Sequence, residues 1–337
     1  MILLAFLFAF VAVPVHAAAQ PAKEFYRGKT VSLLVGGTAG GGVDVSARVL
    51  AKHFGRHIPG QPTVVPQLMP GAGGIRAIDY MNSAAARDGT VLVLLPPGPL
   101  LEPLIGKRKA SYRMADFQAI GAMTRELSLC IAWYRSKFKS IEDAQQNQMI
   151  VAGTGAASTT NVYPVVLNEL LGTKFKIITG FQGSQESTLA IERGEVDGRC
   201  GWGWSSIKSV KSEWVRDRKL NILLQFALTR SAEFPDAPSV MELIKDDTDR
   251  RAMSLLLAPL VLNKPVFVPP GVPSERISEL RSAFKSVMND PELRAEVVKL
   301  SSEEPDPTAG EEAQKIVADM YATPEVSVDR LRRILSK

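Results

Sequence analysis

The stretch Gly36-Gly37-Thr38-Ala39-Gly40-Gly41-Gly42-Val43-Asp44 lies between an apolar run, Thr30 to Val35, and a segment in which Val43, Ala47, Leu50, Ala51 and Phe54 recur at helical spacing. That succession predicts a strand, a tight turn and a helix. Glycines let a ligand approach the backbone, and a helix start offers unpaired N–H groups and a partial positive charge. The loop is therefore a candidate cradle for a carboxylate or a phosphate. The plainer reading is a tight turn in which Asp44 caps the helix.

The same pattern recurs along the chain. Thr63 to Val65 leads into Pro70-Gly71-Ala72-Gly73-Gly74, an Ala-rich helix through Ala86, the turn Arg87-Asp88-Gly89 and a strand over Val91 to Leu95. After Ile120-Gly121 a second block begins, with strands expected over Leu127 to Trp133, Met149 to Ala152 and Lys174 to Ile178. Helices are expected over Ser140 to Asn147, through Val162, Val165, Val166 and Leu170, and over Leu189 to Arg193. From about Arg251 the chain holds apolar and amphipathic helices without a comparable set of strands, and these are expected to complete the first unit. Successive strand–helix units give an α/β fold of mainly parallel sheets flanked by helices, with ligands bound at the carboxyl ends of the strands. Gly71 to Gly74, Gly153 to Ser158 and Gly180 to Ser184 all follow strand-like segments, so with the first loop they imply a cleft.

A chain of 337 residues with 45% hydrophobic residues suggests two domains. Its 40 Lys and Arg against 35 Asp and Glu give a formal charge of +5, spread along the chain. This mildly favours anionic ligands and speaks against nucleic acid, which calls for a concentrated basic stripe. The apolar segment Met1 to Val13, followed by Val15-His16-Ala17-Ala18-Ala19, reads as a signal peptide over residues 1–19, cleaved after Ala17 or Ala19, with a periplasmic destination. Two cysteines, Cys130 and Cys200, are either two buried thiols or one disulfide.

Other chemistries find little support. Gly153-x-Gly155 ends in Ser158 with no acidic residue about 20 positions on, and Gly28-Lys29-Thr30 precedes its strand, so neither dinucleotide nor P-loop binding follows. Ser205-Ser206-Ile207-Lys208 matches S-x-x-K without its partner motifs, which leaves a Ser206/Lys208 hydrolase as the rival class. His53 and His57 have the i, i+4 spacing of metal ligands but lack the Glu of H-E-x-x-H, and sit more naturally at a helix C-terminus. No cofactor, metal or catalysis is expected. In Gly198-Arg199-Cys200-Gly201-Trp202-Gly203-Trp204 two readings stay open. Either the indoles wall a pocket, with Arg199 as counter-ion to a distal acid group, or the strand is buried and its Trp side chains fill a core.

In their joint order these motifs resemble the solute receptors of tripartite tricarboxylate transporters, the Bug receptor family. The matching pieces are GGTAGGGVD with Ala47-Arg48, PGAGG at Pro70 to Gly74, Asp88-Gly89-Thr90, the Gly153 to Ser158 loop, Gly183-Ser184, Gly194-Glu195-Val196-Asp197, Asp236-Ala237-Pro238-Ser239 and Pro270-Gly271-Val272-Pro273. The resemblance implies a two-lobed Venus-flytrap periplasmic binding protein, with residues 24–125 plus 251–337 as lobe 1 and 126–250 as lobe 2. It implies a monomeric receptor that takes a small organic anion from the cleft to the membrane components of a tripartite importer, or to a sensor. Backbone N–H groups at Thr38, Ala39, Gly40 and Gly41, and at Gly155, Ala156, Ala157 and Ser158, would hold the ligand, with Gly183 and Ser184 nearby. Gly73, Cys200 and Trp202 complete the expected binding set. Leu68-Met69 stands where the family often has Asn-Arg, and Gln185-Glu186 where it commonly has Pro-Ala, so the family's known ligands do not transfer.

Overall fold

The computed structural model describes residues 25–336 apart from Thr38, Gly41 and the stretches 107–109, 154–157, 182–183 and 302–303. The expected signal over 1–19, and Thr38, Gly41, Gly155, Ala156, Ala157 and Gly183 of the binding set, lie outside the described residues.

The chain runs through β1 (Thr30–Val35), β2 (Thr63–Leu68), β3 (Val91–Leu94) and β4 (Gln118–Thr124). It continues with β5 (Ser128–Trp133), β6 (Met149–Ala152), β7 (Phe175–Ile178), β8 (Gly198–Gly203) and β9 (Leu220–Phe226), then β10 (Asn263–Val268) and β11 (Thr308–Ala309). These form a six-stranded sheet in the order β11-β4-β10-β3-β1-β2 and a five-stranded sheet in the order β7-β6-β8-β5-β9. The result is a two-lobed α/β fold. The chain passes from the first sheet to the second between Thr124 and Ser128 and returns between Phe226 and Asn263.

Both sheets are mixed rather than mainly parallel. β1 pairs in parallel with β2 and β3, and β6 with β7 and β8, because helices connect those strands as crossovers. β10 and β11 join the first sheet antiparallel, and β5 pairs antiparallel with β8 and β9. β5 and β10 follow the two passages and β9 precedes the second, whereas β11 comes after two further helices.

Alternation along the strands explains the layering. In β1, Val31, Leu33 and Val35 face an outer cluster that holds Ala47, Leu50 and Phe54 of α1 (Gly42–Phe54). Leu34 points the other way, into a cluster with Val93 and Phe267. Each fully buried Leu or Phe here contributes roughly 1.5–3 kcal/mol. In β5, Leu129 and Ile131 face a second outer cluster, while Cys130 and Ala132 face the same inner cluster as Leu34. That inner cluster also takes in Tyr163 and Leu167 of α2 (Thr159–Leu171), so it is continuous from one sheet to the other.

Candidate functional site

Because β1, β2 and β3 are parallel, their carboxyl ends converge, and the two glycine-rich loops of the first sheet meet there. Gly74 has φ 99°, and a Cβ on it would lie 2.9 Å from Pro96 Cδ and 3.2 Å from the Gly36 carbonyl oxygen, so only glycine fits without displacement. At Gly40 and Gly73 an added Cβ would meet nothing within 4 Å, and Ala39 is exposed. The backbone there faces open space.

Asp44, in the first turn of α1, folds back on this loop. The Gly40 N–H donates to its Oδ2 at 2.8 Å, and Arg48 Nε pairs with Oδ1 at 2.9 Å. The Gly40 hydrogen bond, ahead of Arg48, holds the Asp44 carboxyl below its ordinary value. Asp44 therefore does cap the turn. Its carboxylate already occupies the Gly40 N–H, which corrects the expectation that this donor is open to a ligand.

In the second sheet β6, β7 and β8 are parallel, and their carboxyl ends likewise converge. α2 begins directly after Ser158, whose carbonyl accepts from the Asn161 and Val162 N–H groups. Gly201 of β8 has φ 70°, and a Cβ there would sit 2.4 Å from the Thr159 carbonyl oxygen. Thr159 Oγ1 donates to the Gly201 carbonyl at 2.7 Å, so β8 is clamped against the start of α2. Gly180, which follows β7, has nothing within 4 Å of an added Cβ. Ser184 opens α3 (Ser184–Glu192) and accepts from Arg199 Nη1 at 3.1 Å.

Cys200 and Trp202 are corrected by the structure. Cys200 is fully buried and bonded to Cys130 as a disulfide across β5 and β8, so it presents no thiol to a ligand. Trp202 is 2% exposed, packs edge-on to Trp214 at 6.3 Å and donates its Nε1–H to Ser206 Oγ at 3.0 Å. Of the two readings of this segment, the core role holds for both residues. A bulge at Gly201, where the register against β5 shifts, interrupts the alternation, so Cys200 points inward and Trp202 outward, both into apolar clusters.

The other flagged residues also acquire definite partners. Ser206 accepts that indole N–H, and Lys208 lies over the Trp204 ring at 5.5 Å in α4 (Trp204–Val210). His53 Nε2 lies 2.7 Å from Glu296, and His57 Nε2 lies 2.8 Å from Asp290. They tie the end of α1 and the turn after it to the start of α6 (Pro291–Ser301), which lies beyond α5 (Asp247–Val261) in the chain. Burial alone would raise the Asp290 carboxyl, but hydrogen bonds from His57 and Arg56 hold it well below the ordinary range.

A cavity of about 220 Å³ opens where both passages between the sheets meet the first loop. Gly40 and Ser46 line it together with Arg125, Glu126, Ser205 and Lys264. Ser205 Oγ donates to Glu126 Oε2 at 2.7 Å, and the Glu126 N–H donates to the Leu260 carbonyl at 2.8 Å, so the passage is fixed to α5. Ser158 and Ser184 are not among the residues lining this cavity. Sequence motifs give no signal for Arg125, Glu126 or Lys264, because the cavity joins residues far apart in the chain. Ser187, which accepts from Arg199 Nη1 at 2.8 Å, was legible in principle, since it shares a helical face with Ser184 at i, i+3.

Two mixed sheets, with open glycine loops at the carboxyl ends of their parallel strands, define a two-lobed solute-binding-protein fold. A TctC solute binding protein from Polaromonas shares it, with a TM-score of 0.71 at 20% identity, over 91% of this chain and 100% of that one. MatC from Rhodopseudomonas palustris with bound malate matches with a TM-score of 0.55 at 20% identity, over 91% and 99% of the two chains. In sequence, a UPF0065 protein of Agrobacterium vitis is 26% identical over 344 residues, covering 97% of this chain and 91% of its own. Residues 46–328 match the family described as tripartite tricarboxylate transporter family receptor, and the chain belongs to that family. The matched span begins just past the Gly36 to Asp44 loop. Among the described residues no helix is long and apolar enough to cross a membrane.

Proposed function

We propose that this protein is a periplasmic solute receptor that captures a small organic anion, a carboxylate, and delivers it to the membrane components of a tripartite importer. Lobe 1 comprises residues 24–125 and 251–337, lobe 2 residues 126–250, and the ligand is held in the cleft between them. The signal over 1–19 is removed on export, and the mature receptor acts as a monomer without catalysing a reaction. The observation that carries this reading is the pair of open backbones at Gly73 and Gly180, one in each sheet and both at carboxyl ends of parallel strands. Such ends are where α/β sheets bind ligands, and helix starts there favour anions. Family membership and the malate bound to MatC support a carboxylate.

A melting-temperature screen against mono-, di- and tricarboxylates, amino acids and aromatic acids tests it. A ligand present at 100 times its dissociation constant stabilises the folded protein by about 2.7 kcal/mol. At least one acid is expected to raise the melting temperature saturably and to show matching heat by calorimetry. If every acid leaves melting unchanged and gives no binding heat, the carboxylate reading is wrong.

A further inference from the structure

At the edge of the second sheet opposite its glycine loops, the chain gathers positive charge. β5 runs antiparallel to β8, so its carboxyl end at Trp133 and the start of β9 at Leu220 lie away from the carboxyl ends of β6, β7 and β8. Two turns meet there. Trp133 pairs with Leu220, and the Tyr134 N–H donates to the Lys219 carbonyl at 3.2 Å. Asn221 Nδ2 donates to the Trp133 and Phe138 carbonyls at 3.1 and 2.9 Å, which fixes the first turn to the start of β9. The first turn carries Arg135, Lys137 and Lys139, the second Arg216, Arg218 and Lys219.

Residues 126–250 hold 15 Lys and Arg against 16 Asp and Glu, so this half of the molecule has no positive excess of its own, yet six of its cations stand at one tip. Asp217 lies between them, bridging Arg216 at 2.8 Å and Lys219 at 3.0 Å. Asp143, beside the exposed Glu142 at the start of the helix Ile141–Gln146, accepts from the Lys139 and Ser140 N–H groups at 2.7 and 3.1 Å. Arg135, Lys137 and Arg218 are exposed and pair with no carboxylate among the described residues. The Arg135 guanidinium lies 5.2 Å from the ring centre of the half-buried Tyr134, so the patch joins cations to an aromatic ring.

We infer that this tip is a docking surface for an anionic phospholipid bilayer, which holds the protein at a membrane surface while its cleft stays open. Charge complementarity carries the inference. Headgroup phosphates form an extended negative layer that attracts each nearby Lys or Arg, and tyrosine favours the same interfacial layer. The cations without carboxylate partners project from two adjoining turns at a sheet edge, where a broad layer of phosphates meets them together. Because the glycine loops of this sheet lie at its other edge, the docked protein keeps them free. The inference goes beyond ligand capture and does not depend on which ligand is bound.

Co-sedimentation of the whole mature protein with lipid vesicles provides the test. Wild type is expected to bind vesicles of phosphatidylcholine with about one-third phosphatidylglycerol at least about tenfold more strongly than pure phosphatidylcholine, and to be released between about 0.05 and about 0.5 M salt. In the triple variant Arg135→Gln, Lys137→Gln, Arg218→Asn the partition coefficient should fall on the order of 100-fold, about fivefold per charge. Asn suits the left-handed backbone at position 218, where φ is 53°. A control with Lys245→Gln, Lys285→Gln and Lys299→Gln removes three exposed cations elsewhere and should stay within about threefold of wild type. If wild type does not prefer the anionic vesicles, or the control loses as much binding as the tip variant, the inference falls. If wild type ignores the vesicles but binds poly-glutamate, and the tip variant does not, the tip serves an acidic protein segment and the bilayer is overturned. Should circular dichroism show the triple variant misfolded, Lys137→Gln alone replaces it, and a loss below about twofold overturns the inference.

Discussion

The glycine loops of the two sheets look alike in sequence but differ in electrostatics. In the first sheet the loop after β1 is self-contained, because Asp44 takes the Gly40 N–H and is balanced by Arg48. In the second sheet the start of α3 holds the buried Arg199 guanidinium through the hydroxyls of Ser184 and Ser187, with the Trp202 ring 4.6 Å away. One loop has satisfied its charge internally and the other has not. Open glycine backbone and charge balance are therefore separate properties of these loops.

Four substitutions break or sharpen that contrast, from the largest effect to the smallest. Replacing Cys130 and Cys200 together by Ser removes a crosslink over a sequence separation of 70 that encloses β6, β7 and the helices α2 and α3. In the chain-entropy account it costs about 4 kcal/mol, read as a lower urea midpoint, and equal midpoints for oxidised wild type and variant would contradict it. Gly201→Ala places a methyl against the Thr159 carbonyl in left-handed backbone, and should cost about 2–4 kcal/mol. A loss below about 0.5 kcal/mol would mean that β8 is not clamped to α2. Asp44→Ala removes the cap of the first loop for about 1 kcal/mol. The Asp44 pKa is depressed in the folded state, so its stabilisation is present above the unfolded value of about 3.9 and is lost as pH falls below it. Wild type and variant should converge in urea titrations below about pH 3; a constant gap down to pH 2 would assign the effect to packing. Arg199→Met should leave the ligand-free melting temperature unchanged or raise it by roughly 2 °C, because it removes an unanswered buried charge. A fall of more than about 5 °C would show that the cation stabilises its own lobe.

Local signals were legible in the sequence, and long-range ones were not. β1 and β6 lie where their apolar runs end at glycine, over Thr30–Val35 and Met149–Ala152. β10 was hidden because Pro265 argues against a central strand, yet the strand sits between β4 and β3. Only its partners, more than a hundred residues upstream, fix it there. β4 and β9 escaped for the same reason, as short apolar runs gain their strand character from neighbours in the sheet. The site divides similarly. Glycine loops at strand ends can be read directly, whereas the burial of Trp202 depends on Trp214, and the cavity beside Gly40 depends on both passages between the sheets.

The inner apolar cluster has a calorimetric consequence. It is built from inward faces of both sheets and is sealed by α5 and by the last helix, α7 (Glu325–Leu335), where Arg330 Nε meets Asp249 Oδ1 at 2.9 Å. Neither sheet can expose its inner face without exposing the other's. Heat should therefore open the molecule in one cooperative step with a single heat-capacity peak, although the chain contains two sheets. A fragment spanning only residues 126–250 would strip α7 from α2, whose Tyr163, Val166 and Leu167 share its apolar cluster, and should aggregate rather than fold as a miniature receptor.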